Sequence, residues 1–293
     1  MKKPLEILDK MEHVITSKKL NYFDIIIYDG SEWHSRELLA VSSCQNCYSV
    51  SKAFTATAIG IAQDMDLLSV DDTLDGFFNG EWPVNHDLEM KNVKIRHLLT
   101  HTMGLDAGYL FEADRYDINA DNWLEYCLSK PLKDKPGEKF TYSNSTYYLL
   151  SCIISRVSGM KMDRFLCKHL FKPLSIHNFA WAACPMGETQ GGTSLYLSTK
   201  DMAKLGVLYM NKGIWDGKRV LSEDWVVEAT KNHTAHIPGT KYGFGMGIMD
   251  KGYQFAGAHN QYVVIKPDMN MVIAAHGYID NMDIAGIFNS VMS

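Results

Sequence analysis

The chain has 293 residues, 46% of them hydrophobic and 22% charged, the make-up of a globular protein with a sizeable core. A net charge of -5 leaves no basic footprint for nucleic acid, and no apolar run reaches the length of a membrane span. The six cysteines are scattered. The C-x-x-C pair, Cys44 and Cys47, has no second pair at zinc-binding spacing and no βαβ setting for redox work, so free thiols of a reducing cytosol are expected. The start, Met1-Lys2-Lys3-Pro4-Leu5-Glu6, is basic like a signal peptide. Glu6, Asp9 and Lys10 interrupt the apolar region that must follow, so the expected location is cytoplasmic.

In chain order, apolar residues at Leu5, Ile7, Leu8, Met11, Val14 and Ile15 predict a helix up to Lys19. The β-branched run Phe23–Tyr28, closed by Asp29-Gly30, predicts a strand, with Glu37–Val41 as its partner. From Ser49 a run of small and apolar residues predicts a buried helix to about Leu68. Residues 76–92 read as loop, and a short helix is expected within Val93–Leu105, closed by Gly104. His97 and His101 stand four apart, but no H-E-x-x-H and no third ligand accompany them, so structural histidines are expected and no metal. Helices are expected over 119–130, from the Tyr142 region to Ser158-Gly159, and over Met162–Leu170, with 175–193 as loop. Thr199–Asn211 is an amphipathic helix with a Ser/Thr cap, and Trp225 lies on another capped by Ser222. Tyr242–Met249 reads as a strand, Gln261–Lys266 and Met271–His276 as a hairpin, and Ile284–Val291 as a closing helix.

Strands at both ends with helices between predict an α+β fold: an antiparallel β-sheet flanked by N- and C-terminal helices, with a mostly helical inserted region. The expected division is a sheet region of residues 1–48 and 194–293 and a helical region of 49–193, within one domain spanning 1–293.

The stretch that carries chemistry is Tyr48-Ser49-Val50-Ser51-Lys52. At a helix start, Ser49 and Lys52 share a face. Burial and the positive helix end lower a lysine's pKa, and the Ser49 backbone N–H can donate to an oxyanion forming beside it. Alone, S-x-x-K is also an ordinary helix start. Together with Tyr142-Ser143-Asn144 it resembles the serine β-lactamase and penicillin-binding-protein superfamily, and is most similar to the class C β-lactamase-like hydrolases and esterases. Arg96-His97-Leu98-Leu99-Thr100-His101-Thr102-Met103-Gly104-Leu105 resembles the family's R-H-L-L-T-H-T-S-G-L, with Met103 for the usual serine. Pro136–Asn144 resembles its P-G-x-x-F-x-Y-S-N, and Ser198–Ala203 and Gly213–Lys218 also have counterparts. Five matches in the right order exclude chance.

The resemblance implies a β-lactamase/transpeptidase-like fold, no cofactor, and an acyl-enzyme on Ser49. No G-x-S-x-G surrounds Ser49, so Lys52 is the nearest candidate base and Tyr142 the second, its phenolate favoured by a nearby ammonium. The resemblance further implies that Lys52 and Tyr142 share the proton traffic, that Tyr142 helps activate the deacylating water, and that Asn144 orients Lys52 and substrate. The family's third motif, Lys-Thr-Gly or His-Thr-Gly, is absent. Phe255-Ala256-Gly257 takes its place, with Gly257 leaving room for substrate, the Ala258 N–H available to an oxyanion hole, and His259 either a partial substitute for the missing charge or a plain loop histidine. The expected function is a serine hydrolase acting on a small ester or amide, without nucleic-acid or membrane partners. A penicillin-binding sensor or slow β-lactamase/D-aminopeptidase-like protein, and a non-catalytic scaffold of the same fold, are the alternatives.

Overall fold

The computed structural model describes residues 4–40, 42–111, 114, 118, 121–279 and 284–292. Helix α1 (Pro4–Ser17) leads into strands β1 (Tyr22–Tyr28) and β2 (Trp33–Glu37). The short β3 (Gln45–Asn46) and a 3-10 turn, Tyr48–Val50, introduce α2 (Ser51–Asp64). Then come α3 (Leu74–Phe78), α4 (Ile95–Leu99), α5 (Trp123–Leu128), α6 (Asn144–Ser158) and α7 (Met162–Leu166). Strands β4 (Ala180–Trp181) and β5 (Leu195–Leu197) precede α8 (Thr199–Met210), the hairpin of β6 (Ile214–Trp215) and β7 (Lys218–Arg219), and α9 (Glu223–Ala229). Strands β8 (Gly247–Ile248), β9 (Tyr253–Gly257), β10 (Gln261–Lys266) and β11 (Met271–Gly277) and helix α10 (Ile284–Met292) follow.

The main sheet has the order β2-β1-β11-β10-β9-β8, with antiparallel neighbours throughout. β1 pairs with β11 from Tyr22↔Gly277 to Tyr28↔Val272, so the two ends of the described chain meet in the middle of the sheet. The period-2 alternation of side chains separates two cores. Ile25, Ile27, Val264, Ile273 and Ala275 face the terminal helices, packing with Ile7, Leu8 and Met11 of α1 and Ile287 and Phe288 of α10. Phe255, Val263, Ile265, Val272 and Ala274 face the other way, into the larger core shared with α2, α6 and α8. The expected architecture, an antiparallel sheet flanked by N- and C-terminal helices with helices inserted between its strands, is the one observed.

Local expectations differ in four places, one being β4, a short strand paired with β5 inside the expected loop 175–193. The partner of β1 is Trp33–Glu37, ahead of the expected Glu37–Val41, of which Val41 lies outside the described residues. Asp29 decides this: its Oδ1 accepts from the backbone N–H of Ser31 at 2.9 Å and Glu32 at 2.8 Å, folding the chain back at once so that Tyr28 pairs with Trp33. Being an edge strand, β2 carries polar residues, and Arg36 reaches Asp9 and Glu12 of α1. In Tyr242–Met249 only Gly247–Ile248 joins the sheet, because the positive φ of Gly245 turns the chain away. Within 76–92, expected as loop, α3 reaches Phe78 and a 3-10 turn spans Leu88–Asn92.

Candidate active site

Ser49 is half-buried in the 3-10 turn between β3 and α2, where the sheet meets the inserted helices. The turn is held from both sides: Cys47 N donates to Leu195 O at 2.7 Å, and Val50 N to Cys47 O at 3.0 Å. Between them Tyr48 adopts φ 45, a left-handed conformation that a non-glycine residue keeps only when its surroundings impose it. The C-x-x-C pair lies on either side of the extended β3. Cys44 is partly exposed and Cys47 fully buried, its Sγ 3.7 Å from His276 Nε2, and all six cysteines are free thiols.

One helical turn on, Lys52 is 1% exposed. Its Nζ lies 3.1 Å from Ser49 Oγ, 2.6 Å from Asn144 Oδ1 and 2.7 Å from the Gly192 carbonyl. Burial pushes the amine well below its ordinary pKa. A neutral amine has two N–H donors and one lone pair. The two carbonyl oxygens take the donors, and the lone pair is left for the Ser49 hydroxyl proton. The Gly192 carbonyl was not legible as part of the site, since residues 175–193 read only as a glycine-bearing loop. The signal was the glycine itself: a Cβ at Gly192 would stand 3.1 Å from Asn144 Cα, tighter than an ordinary contact, so glycine eases the close approach of this backbone to Lys52 beside Asn144.

Ser143 caps α6, its Oγ accepting from Ser145 N at 3.2 Å. This sets Tyr142 just outside the helix and Asn144 at its first position, which is how Y-S-N delivers two side chains to one point. Asn144 Nδ2 donates to Leu110 O at 3.0 Å, fixing the amide so that Oδ1 faces Lys52. The Tyr142 phenol lies near the Ser49 hydroxyl, and Lys52 Nζ stands 4.6 Å from the centre of its ring. Burial pushes the Tyr142 phenol up to about 12, against the smaller opposing effect of the Ser49 hydroxyl. The expected lowering of the phenol is thus not found: its own burial raises it, as burial lowers the Lys52 amine.

On the far side of Ser49 runs β9. A Cβ at Gly257 would stand 2.5 Å from Cys47 O and 3.1 Å from Ser49 N, so the strand lies directly against the Ser49 turn. Ala258, exposed, starts the tight turn Ala258–Asn260 that leads into β10. His259, at φ 57, stacks on Tyr278 at 4.3 Å and meets Tyr48 edge-on at 5.0 Å, which places it beside the Ser49 turn. Phe255, expected in place of the family's lysine, is fully buried with its ring 5.7 Å from that of Tyr209. His97 closes the N-terminus of α4, its Nδ1 accepting from Lys94 N at 3.1 Å.

Ser49, Lys52, Tyr142, Asn144 and Gly257 therefore converge, and fold and arrangement together are those of the serine β-lactamase and penicillin-binding-protein superfamily. The chain belongs to the beta-lactamase family, whose sequence profile matches residues 27–276. It is 29% identical to penicillin-binding protein 4* of Bacillus subtilis over 154 residues, 50% of this chain and 32% of that protein, so the match spans only about a third of that relative's length. The octameric penicillin-binding protein homologue from Pyrococcus abyssi superimposes with a TM-score of 0.77 at 20% identity, covering 97% of this chain and 76% of that one. EstCE1, a hydrolase with promiscuous acyltransferase activity, gives 0.75 at 15% identity over 99% of both chains. No helix among the described residues is long and apolar enough to cross a membrane.

Proposed function

We propose that the protein is a serine hydrolase that cleaves a small ester or amide through an acyl-enzyme on Ser49. The observation that carries this is the surrounding of Lys52 Nζ: two carbonyl acceptors at 2.6 and 2.7 Å, and Ser49 Oγ at 3.1 Å on the remaining side. As Ser49 Oγ attacks the carbonyl carbon, its proton passes to Lys52. The N–H groups of Ser49 and Ala258 receive the oxyanion. On collapse the C–O or C–N bond breaks and the leaving group takes the proton, from Lys52 directly or through the Tyr142 hydroxyl, which lies near Ser49. Water then attacks the acyl group by the reverse traffic, releasing the acid and restoring Ser49.

The match to penicillin-binding protein 4* favours a second reading, a module that acylates on Ser49 and deacylates poorly. A chromogenic ester separates the two, since a stoichiometric burst without turnover belongs to the sensor. The reading itself is tested by a fluorophosphonate probe and by Ser49→Ala. One label is expected, on Ser49 by peptide mapping, and the alanine variant should keep its thermal transition while losing hydrolysis. Label elsewhere, or activity retained in the variant, would show that Ser49 is not the nucleophile.

A further inference from the structure

Behind Tyr142 lies a histidine that the acyl-transfer steps do not use. His101, just past α4, is fully buried and holds φ 57. Its carbonyl accepts from Thr141 N at 2.8 Å and its Nδ1 from Ser143 N at 3.3 Å, so the residues on both sides of Tyr142 are tied to this one residue. Thr146 Oγ1 lies 3.2 Å from the same Nδ1. The imidazole ring also lies against Tyr142 itself, the centres 4.3 Å apart at 43°. A backbone N–H only donates, so Nδ1 is an acceptor and the ring proton is on Nε2.

Nε2 is buried and has no hydrogen-bond partner among the described residues. Around the ring stand Tyr142, Tyr147, Tyr242 and Phe140, with centres at 4.3, 5.1, 5.3 and 5.7 Å. Burial, and after it the neighbouring Lys52, push the imidazole well below its ordinary pKa, which keeps Nδ1 free to accept.

We propose that His101 is a positioning residue for Tyr142: it fixes the backbone on either side of the tyrosine and the plane of its ring, and so sets where the phenol oxygen stands against Ser49. This rests on the reading of Tyr142 as the proton carrier proposed above. In its left-handed conformation His101 presents its carbonyl to Thr141 N and its Nδ1 to Ser143 N together.

The test is a double-mutant cycle with p-nitrophenyl butyrate, using His101→Phe, Tyr142→Phe and the two combined, each checked for its thermal transition. His101→Phe keeps an aromatic ring but removes the Nδ1 acceptor and the Nε2 proton. Its kcat should fall roughly tenfold to a hundredfold, the scale of a small misplacement of a reacting group. KM should move by less than about threefold, as fits a loss confined to the chemical steps. In the Tyr142→Phe background the same change should cost nothing further, because there is no phenol left to place. His101→Gln, which offers Ser143 N an acceptor again, should recover part of the loss, and it carries the same cycle if His101→Phe does not fold. Unchanged kcat in a folded His101 variant, or a full additional loss on top of Tyr142→Phe, overturns the proposal. Wild-type kcat in Tyr142→Phe alone would instead remove the role of Tyr142, and with it any need to position it.

Discussion

Asn144 holds Lys52 at one end of its amide and the 106–111 loop at the other: Oδ1 lies 2.6 Å from Lys52 Nζ, and Nδ2 donates to Leu110 O at 3.0 Å. A neutral amide is the right partner for an amine that must stay deprotonated. It takes one N–H bond without adding the negative charge that would favour the ammonium.

Asn144→Asp should therefore act through Lys52. A carboxylate at hydrogen-bond distance favours the charged amine, and the acid limb of kcat/KM against pH should move upward by about one pH unit or more. Once the limb stands above pH 7, activity at pH 7 should fall roughly tenfold for each further pH unit and return as the pH is raised. The pH–rate profile of the variant decides it, and a limb that stays in place counts against Lys52 as the base.

The same depressed pKa leaves a mark on stability. Lys52 titrates in the native protein well below the ordinary 10.5. Between those two values the unfolded chain binds a proton that the native chain lacks, so wild-type stability gains with rising pH and is penalised as pH falls. Lys52→Met has no such contribution. Urea unfolding of both proteins at successive pH values should show wild type gaining on the variant by up to about 1.4 kcal/mol per pH unit within that window. A difference that stays flat with pH means that the native lysine keeps its proton.

Gly257→Ala should cost activity with little change in secondary structure. The added methyl would stand 2.5 Å from Cys47 O and 3.1 Å from Ser49 N, so either β9 or the nucleophile turn must give way. Displacing an oxyanion donor costs roughly 10²–10³ in kcat. Steady-state kinetics and the rate of fluorophosphonate labelling of Ser49 should fall together. Near wild-type rates would place the oxyanion elsewhere.

Substrate preference follows from Phe255. The Phe255 ring is fully buried and Ala256 has no hydroxyl, so on the proposed correspondence with Lys-Thr-Gly neither the cation nor the hydroxyl is supplied here. A charge-assisted hydrogen bond to a carboxylate contributes about 1.5–3 kcal/mol, so its absence weakens recognition of an acidic β-lactam by roughly one to two orders of magnitude. An uncharged ester never made that contact. Accordingly kcat/KM for p-nitrophenyl acetate or butyrate should stand well above that for nitrocefin. Efficient nitrocefin hydrolysis would contradict this and direct attention to His259.

What can be read from the chain alone is whatever has a local cause. Ser143 and Ser198 announce α6 and α8 because an N-cap needs only its own side chain and the next turn. The pairing of Ser49 with Lys52 needs only helical spacing. Contacts made across the fold leave weaker traces. The Gly192 carbonyl reaches Lys52 from 140 positions away, and only a glycine hints at it. The polar strand β2 has no hydrophobic pattern, since it lies at the sheet's edge and its partner alone defines it. A nearby amine predicts a phenolate at Tyr142, whereas the phenol is raised, because its own burial is a property of the assembled core. His101 reads as structural, and its hold on both neighbours of Tyr142 exists only once α4 and α6 have packed together.

The pairing of β1 with β11 sets an order of events in time. During synthesis β1 leaves the ribosome early, and its central partner emerges more than two hundred residues later. At roughly 5–20 residues per second that is an interval of some tens of seconds. Until then β1 has only β2 to pair with, Ile25 and Ile27 lack their central-strand partner, and Gly257 has not yet been made to wall the Ser49 turn. A ribosome-bound nascent chain carrying Ser49, Lys52 and Tyr142 but not β9–β11 should thus be inert to a fluorophosphonate. The hydrolase would switch on once, when the last strands close the sheet, and a chain stalled short of them would carry a nucleophile that cannot act.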